Sequence, residues 1–329
     1  MQASVLDNGK FIIKEITQPK LAGKGAIVKV LGCGLCGSDI VKFTHDLVAD
    51  GAVLGHEVVG EIVEIATDNT DLKVGDKVAV AHHYPCFDCN FCKHGNYSMC
   101  ETFKKSNIFP GGFSEYILID EKHLQYTVFK IPQNMDLIVA SFTEPIACCY
   151  RAVERANLLN SDSVAIVGLG SIGILMGQIC KTFGTRVVGL DINKERTEIA
   201  LKYGFDEVYI SNELENTLGV DVVFLTAGAD ASVQTAVEQV RNGGKICVFA
   251  STKTNIPAFL NNQIYYRELT VFGSYSPSPT NLKQAFELLR DKKINVEGMS
   301  KVYNLDKLNE AISDTCSGRI LKAFMKVGA

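Results

Sequence analysis

Residues 164–173 read Val-Ala-Ile-Val-Gly-Leu-Gly-Ser-Ile-Gly, an apolar β-type run ending in G-x-G-x-x-G, with a helical stretch after it. Few folds tolerate such a junction. Gly168 makes the tight turn, Gly170 lets backbone approach a pyrophosphate, and Gly173 lets helix pack on strand. The N-terminus of the helix then faces phosphate charge, with Ser171 and Ile172 in the same turn. Eighteen residues after Gly173, Asp191 ends a second β-run, Val187–Asp191. A carboxylate there accepts hydrogen bonds from the adenosine ribose and repels a 2′-phosphate. Ile192 and Asn193 follow it, with no immediate arginine. The segment predicts a dinucleotide site that prefers NAD to NADP.

The surrounding rhythm agrees. From Ser163 onward, β-runs at 163–167, 186–190, 207–210, 221–225 and 245–249 alternate with helical patterns at 172–183, 194–203 and 232–241. That alternation predicts a parallel, doubly wound α/β sheet. The first 140 residues differ. Short β-type runs such as 26–30, 58–65 and 77–81 are divided by glycines, and helical periodicity is scarce, so a β-rich, barrel-like unit is expected. Two helical patterns, 281–292 and 306–316, and a last β-run near 321–327 close the chain.

Composition narrows the class. The 329 residues are 47% hydrophobic and carry 33 basic against 37 acidic side chains, a net charge of −4. No basic excess advertises nucleic acid or an anionic membrane. The N-terminal MQASVLDNGK has no apolar core typical of a secretory signal. The uncharged run Ser163–Cys180 reaches the lower edge of membrane-span length, but the dinucleotide turn accounts for its glycines. A cytoplasmic chain with reduced cysteines is expected.

There are 11 cysteines. Cys86, Cys89, Cys92 and Cys100 form C-x2-C-x2-C-x7-C, in which two-residue gaps let thiolates converge on one ion. Four of them complete a closed, structural zinc site. An iron–sulfur cluster uses similar gaps, and disulfides or unliganded thiols are the blander readings. Cys33 makes a C-x-x-C with Cys36, without the context of a redox pair. Cys148, Cys149, Cys180, Cys247 and Cys316 are expected in the core.

Three further pieces can bind metal. Cys36 lies in Gly34-Leu-Cys-Gly-Ser-Asp39, His56 and Glu57 in Gly55-His-Glu, and Glu144 precedes Pro145. Taken singly, each has a plain alternative: a buried thiol, a loop histidine, a helix-terminal charge.

Taken together, GLCGSD, GHE, Gly75-Asp76, the four-cysteine lobe, GGFSEY at 111–116, the EP pair and GLGSIG cover nearly the whole chain in order. In this the chain resembles the zinc-containing medium-chain dehydrogenases, on the branch with sorbitol and threonine dehydrogenases. The resemblance implies a GroES-like catalytic domain, residues 1–142 and 276–329, interrupted by a Rossmann domain, residues 143–275. It implies a catalytic zinc on Cys36 and His56, with Glu57 or Glu144 as carboxylate ligand, directly or through water. Such a zinc acts as a Lewis acid on an alcohol, whose carbon then releases hydride to nicotinamide. Ser38 is the expected first proton acceptor, and Asp39 an orienting group behind the ligands. The resemblance further implies two zinc ions and NAD per chain, a small alcohol or polyol substrate, and a homodimer or homotetramer.

Two departures stand out. Relatives commonly carry a relay histidine five residues past the zinc cysteine, where this chain has Val41; His45 or water is the expected substitute. Only 20 positions separate Cys36 from His56, so a loop near the substrate is shortened. His82, His83 and Tyr275 are secondary candidates for contact with substrate or cofactor. The rival readings are a non-catalytic NAD- or zinc-binding regulator and a zinc-independent enone reductase.

Overall fold

The structure, a computed structural model, describes residues 1–251 and 259–328. The chain divides into two compact units, Met1–Ala147 with Pro277–Lys292 and Val296–Ala329, and Cys148–Ser276 with Lys293–Asn295.

The first unit begins with β1 (Gln2–Asp7) and β2 (Lys10–Glu15), an antiparallel hairpin turned at Asn8-Gly9. Both turn residues have positive φ, 47° and 72°, as an Asn-Gly hairpin turn requires. Next come β3 (Gly25–Gly34), α1 (Gly37–Thr44), β4 (Glu57–Ala66) and β5 (Lys77–Val80). Then follow α2 (Asn90–Lys93), α3 (Glu101–Lys105), β6 (Tyr116–Asp120), α4 (Glu121–Tyr126), β7 (Val128–Lys130), α5 (Leu137–Ser141) and α6 (Thr143–Ala156). None of α1–α5 exceeds eight residues, which is why helical periodicity is weak there. The chain passes into the second unit within α6.

The second unit alternates β8 (Ser163–Val167), α7 (Ser171–Thr182), β9 (Arg186–Asp191), α8 (Lys194–Lys202), β10 (Glu207–Ile210), β11 (Val220–Leu225), α9 (Asp230–Gln239), β12 (Val240–Val248), α10 (Phe259–Tyr266) and β13 (Thr270–Gly273). Its six strands are parallel in the order β10-β9-β8-β11-β12-β13. Strand order reverses between β8 and β11, the place where doubly wound sheets bind dinucleotides. The stretch expected to remain helical through Arg241 leaves the helix at Gln239. Val240 already pairs with Val220, and the register shifts before Lys245. The uncharged run 163–180 is split between β8 and α7, and no helix among the described residues is long and apolar enough to cross a membrane.

Back in the first unit, α11 (Pro279–Arg290), β14 (Ser300–Asn304), α12 (Leu308–Cys316) and β15 (Lys322–Lys326) complete the chain. The sheet runs β14-β15-β3-β4-β5-β7. One edge of β3 is shared: Gly25–Lys29 pair with β6, and Gly32–Gly34 pair with β15. The opposite edge pairs with β4, setting Gly34 against Glu57. Val28, Val58, Ile62, Phe113, Ile117 and Met325 are among the buried side chains of this core. Each such side chain contributes roughly 1.5–3 kcal/mol against remaining exposed.

Candidate active site and metal centres

The lobe is built from two tight turns and two short helices. Cys89 precedes α2, Cys92 lies in it, and Cys100 precedes α3. The four thiol sulfurs lie within 4.8 Å of one another. Sγ of Cys92 is 3.9 Å from that of Cys86 and 3.6 Å from that of Cys89. Bonds of about 2.3 Å to one tetrahedral zinc place sulfurs about 3.8 Å apart. That spacing fits a single ion and leaves no room for an iron–sulfur cage. Burial, with Cys89 and Cys100 alongside, pushes the Cys92 thiol up to about 12. Against partial burial, N–H groups of Cys86 and Phe103 bring Cys100 down to about 6. Crowded sulfurs that resist a second negative charge are what a dication resolves.

The second constellation gathers around β3. Cys36 caps α1, and its N–H donates to Asp39 Oδ2 at 3.2 Å. Asp39 Oδ1 faces His56 Nδ1 at 3.2 Å and accepts the Gly55 N–H at 3.4 Å. With Nδ1 so engaged, Nε2 of His56 is the nitrogen left for a metal. Burial pushes Asp39 up, but His56 and Lys42 outweigh it and hold the carboxyl below its usual range. Burial presses His56 toward neutrality, yet Asp39 and Cys36 raise its affinity for positive charge well above normal. The pocket is anionic and suits a cation.

Ligand atoms of Cys36, His56 and Glu57 converge within 4.8 Å. Glu57 is 1% exposed, and its Oε2 is buried 2.6 Å from the Lys322 ammonium. Gly34 makes room for it: a Cβ there would sit 1.9 Å from Oε2. The donor set, a thiolate, an imidazole and a carboxylate, fits a zinc ion. Glu144, the other expected ligand, is buried in the first turn of α6 but does not join that cluster. Its charge acts instead on Lys322.

Lys322 has no counterpart in the sequence-based expectations. Its Nζ donates to Glu57 Oε1 at 2.8 Å and to Leu35 O at 3.2 Å. Burial presses the ammonium toward neutrality, but Glu57 and Cys36 outweigh it and raise its pKa. No local pattern signals a partner 265 residues away; only the β15–β3–β4 register brings it there.

A row of rings leads from the second centre toward the lobe. His82 packs 4.6 Å from His56, His83 3.9 Å from His82, and Phe103 4.9 Å from His83. His83 Nδ1 bonds the Ser106 carbonyl. His123, on Asp120 at 3.0 Å, contacts the His82 carbonyl at 3.1 Å through Nε2. Sequence alone marked His82 and His83 without their stacking.

The remaining candidates scatter. Ser38 is exposed in the first turn of α1, and His45 is exposed at its far end beyond Val41. Tyr275 is exposed as well. Burial raises the Cys33 thiol well above its usual value, so it remains protonated against Gly34 O. Cys149, Cys180 and Cys247 are buried and Cys148 half-buried. Cys316 corrects the expectation of a core residue: it is exposed, because it closes the last turn of α12 beyond the Leu308–Ile312 face.

In the second unit, Gly168 has φ 101°, and Gly170 caps α7. A Cβ on Gly173 would stand 1.9 Å from Gly168 O, so only glycine permits that approach. Thr226, at the end of β11, donates to Gly168 O at 2.7 Å and ties the loop across the strand-order reversal. Asp191 accepts the Leu169 N–H at 2.7 Å and the Asn193 N–H at 2.9 Å. Arg196, from the first turn of α8, stands 3.9 Å from Asp191. Sequence inspection stopped at the two residues after Asp191 and missed it; one helical turn returns it to the carboxylate.

Comparison with known proteins agrees with this geometry. Residues 23–133 match the family model for the alcohol dehydrogenase GroES-like domain, and residues 171–291 match that for zinc-binding dehydrogenases. Sorbitol dehydrogenase of Bacillus subtilis is 31% identical over 336 residues, covering 95% of this chain and 92% of the relative. The structure of galactitol-1-phosphate dehydrogenase from Escherichia coli has a TM-score of 0.87 at 27% identity, covering 99% of this chain and 100% of that one. A structure from Sinorhizobium meliloti 1021, described as a zinc-binding dehydrogenase bound to NADP, has a TM-score of 0.87 at 25% identity and covers 99% and 98%. Motif order, two donor sets and whole-length likeness converge, and the chain belongs to the polyol branch of the zinc-containing medium-chain alcohol dehydrogenases.

Proposed function

We propose that this zinc-dependent, NAD-linked oxidoreductase acts on a secondary carbinol of a polyol or polyol phosphate, or on the matching ketone, with residues 1–142 and 276–329 as catalytic domain and 143–275 as coenzyme domain. The observation that carries the reading is the convergence of Cys36, His56 and Glu57 in a buried, anionic pocket. Cys36 and His56 would hold the catalytic zinc, with Glu57 nearest as carboxylate and Glu144 behind. The four lobe cysteines would hold a structural zinc. When bound, the catalytic zinc supplies Lewis acidity that makes a hydroxyl proton easier to remove.

The chain's own groups do the rest. Asp39 fixes the His56 tautomer, so that Nε2 keeps its lone pair. Ser38, exposed to solvent, would accept the substrate's hydroxyl proton at Oγ while releasing its own to water. NAD, when bound, would serve as acceptor for the hydride of the carbinol carbon. The glycine turn receives the pyrophosphate on its N–H groups. Asp191 accepts from the ribose hydroxyls, which supports NAD as coenzyme. The relatives' names support polyols and their phosphates as the substrate class. A lobe that needs reduced thiolates supports a cytoplasmic location. A homodimer or homotetramer is proposed from family membership alone.

The test is a panel of sugar alcohols and their phosphates, with NADH formation as readout and zinc counted on the same preparation. About two zinc ions per chain and activity on at least one secondary polyol are expected. Full activity after removal of all metal would refute the catalytic assignment.

A further inference from the structure

Helix α1 brings a cation to the catalytic centre. Cys36 caps its first turn and Lys42 sits in its last, six residues or about 9 Å further along. Lys42 follows the buried Asp39 by three residues, so the two share a face of the helix. Lys42 is half-buried, whereas Val41 and His45 are exposed. A lysine in this place would ordinarily pair with the acid. Asp39, however, has both oxygens engaged: Oδ1 by His56 Nδ1 at 3.2 Å and the Gly55 N–H at 3.4 Å, Oδ2 by the Cys36 N–H at 3.2 Å. Asp46, four residues on, does not take the ammonium either. Among the described residues, Lys42 Nζ forms no ion pair and no hydrogen bond. Its charge still reaches the groups around the metal ligands. Burial works to raise the Asp39 pKa, and His56 and then Lys42 outweigh it. Burial chiefly keeps protons off His82 and His83, and the charge of Lys42 adds to that effect on both. His82 in turn stacks 4.6 Å from the ring of His56.

We propose that Lys42 binds the phosphate of a phosphorylated polyol, and so makes a polyol phosphate, rather than a free polyol, the preferred substrate. The proposal rests on the oxidoreductase reading above and chooses within it. The physics is that of a cation without a counter-ion. A phosphomonoester carries a charge of about −1.5 to −2 at pH 7 and offers three acceptor oxygens, which suit the three donors of an ammonium. Such charge-assisted bonds are roughly twice as strong as those a neutral hydroxyl makes in the same place. Lys322, the other cation of this centre, is already engaged by Glu57 at 2.8 Å. The pyrophosphate of the coenzyme has its own donors in the glycine turn of the second unit, so the anion left for Lys42 is the substrate's. Anchored there, the phosphate end would hold the chain of hydroxyls along α1, at whose other end Cys36 joins His56 and Glu57.

The experiment uses the zinc-loaded holoenzyme at one fixed ionic strength. Inorganic phosphate is first titrated into the NADH-loaded protein. Lys42→Met should weaken phosphate binding about tenfold, and Lys42→Arg should keep it. Absent binding, or equal binding by wild type and Lys42→Met, overturns the proposal whatever alcohol the enzyme turns over. Galactitol and D-arabitol are then each compared with their phosphates by kcat/KM. The wild type should favour the phosphorylated member of at least one pair by about 10–100-fold, with the gain in KM rather than kcat. Lys42→Met should erase that ratio and Lys42→Glu should invert it. A wild type that prefers the free polyols overturns the proposal and leaves the oxidoreductase reading in place. Absence of turnover on every alcohol removes that reading, and the phosphate titration still decides on Lys42. A loss of NADH affinity in Lys42→Met as large as its loss of phosphate affinity also overturns the proposal, because the cation then serves the coenzyme. Should Lys42→Met fail to fold, Lys42→Gln takes its place in every comparison.

Discussion

Asp191→Ala separates two jobs that one carboxylate performs. Asp191 offers four lone-pair positions, and backbone N–H groups of Leu169 and Asn193 occupy two of them. The other two are free for ribose hydroxyls. Loss of two charge-assisted hydrogen bonds to NAD should weaken its binding by roughly 100-fold or more. The same change removes the repulsion of a 2′-phosphate and releases Arg196, now 3.9 Å from Asp191, to meet it. The NADP-to-NAD affinity ratio should therefore rise by about 1,000-fold. NADP should nevertheless bind the variant less tightly than NAD binds the wild type, because the glycine turn has lost its tether. Leu169 is buried, so its N–H is left without an acceptor, at about 2 kcal/mol. The Asn193 N–H is exposed and recovers water. The melting temperature should fall by roughly 5–10 °C. Dissociation constants from NADH and NADPH fluorescence, with a thermal melt of the coenzyme-free protein, supply every quantity. A ratio that moves less than tenfold would show that Asp191 does not face the ribose. An unchanged melt would show that the tether carries no energy. Adding Arg196→Ala should cancel the gain in NADP affinity.

Other expectations follow from the catalytic unit. Cys36→Ser should lower zinc from about two to about one per chain and abolish turnover while NAD binding persists; retained turnover refutes Cys36 as ligand. His83 gives a pH signature. Burial, with His56 and His123 nearby, lowers its pKa to about 4. Between that value and the ordinary one near 6.5, the unfolded chain binds a proton that the folded chain refuses. Stability is therefore complete above about pH 6.5 and is lost as pH falls toward about 4, by up to about 1.4 kcal/mol per pH unit for this group. His83→Gln should flatten that part of a urea-midpoint profile relative to wild type, and parallel profiles would contradict the assignment.

Much of this molecule was legible because its chemistry is local. The glycine turn, the lobe and GHE lie within short spans, and each brings its own geometry. The doubly wound sheet could be read for the same reason: buried strands and amphipathic helices alternate visibly between 163 and 225. What escaped depends on distant pairing. β13 is four residues long and half-exposed, so no alternation marks it. Arg196 needed a helical turn to come back upon Asp191, and Lys322 needed three strands in register. Which of Glu57 and Glu144 lies beside Cys36 could not be read from either motif, because the β3–β4 pairing decides it.

The sharing of β3 between β6 and β15 has a consequence for synthesis. Its pairing with β4 and β6 is available once about a third of the chain has left the ribosome. The segment opposite Gly32–Gly34 waits for residues 324–326. Meanwhile the parallel sheet is already complete as far as β13 at residue 273. During translation, then, the coenzyme unit can close first, while Cys36, His56 and Glu57 wait beside an unfinished edge. The centre acquires its lysine only when β15 is made, after the coenzyme sheet is complete.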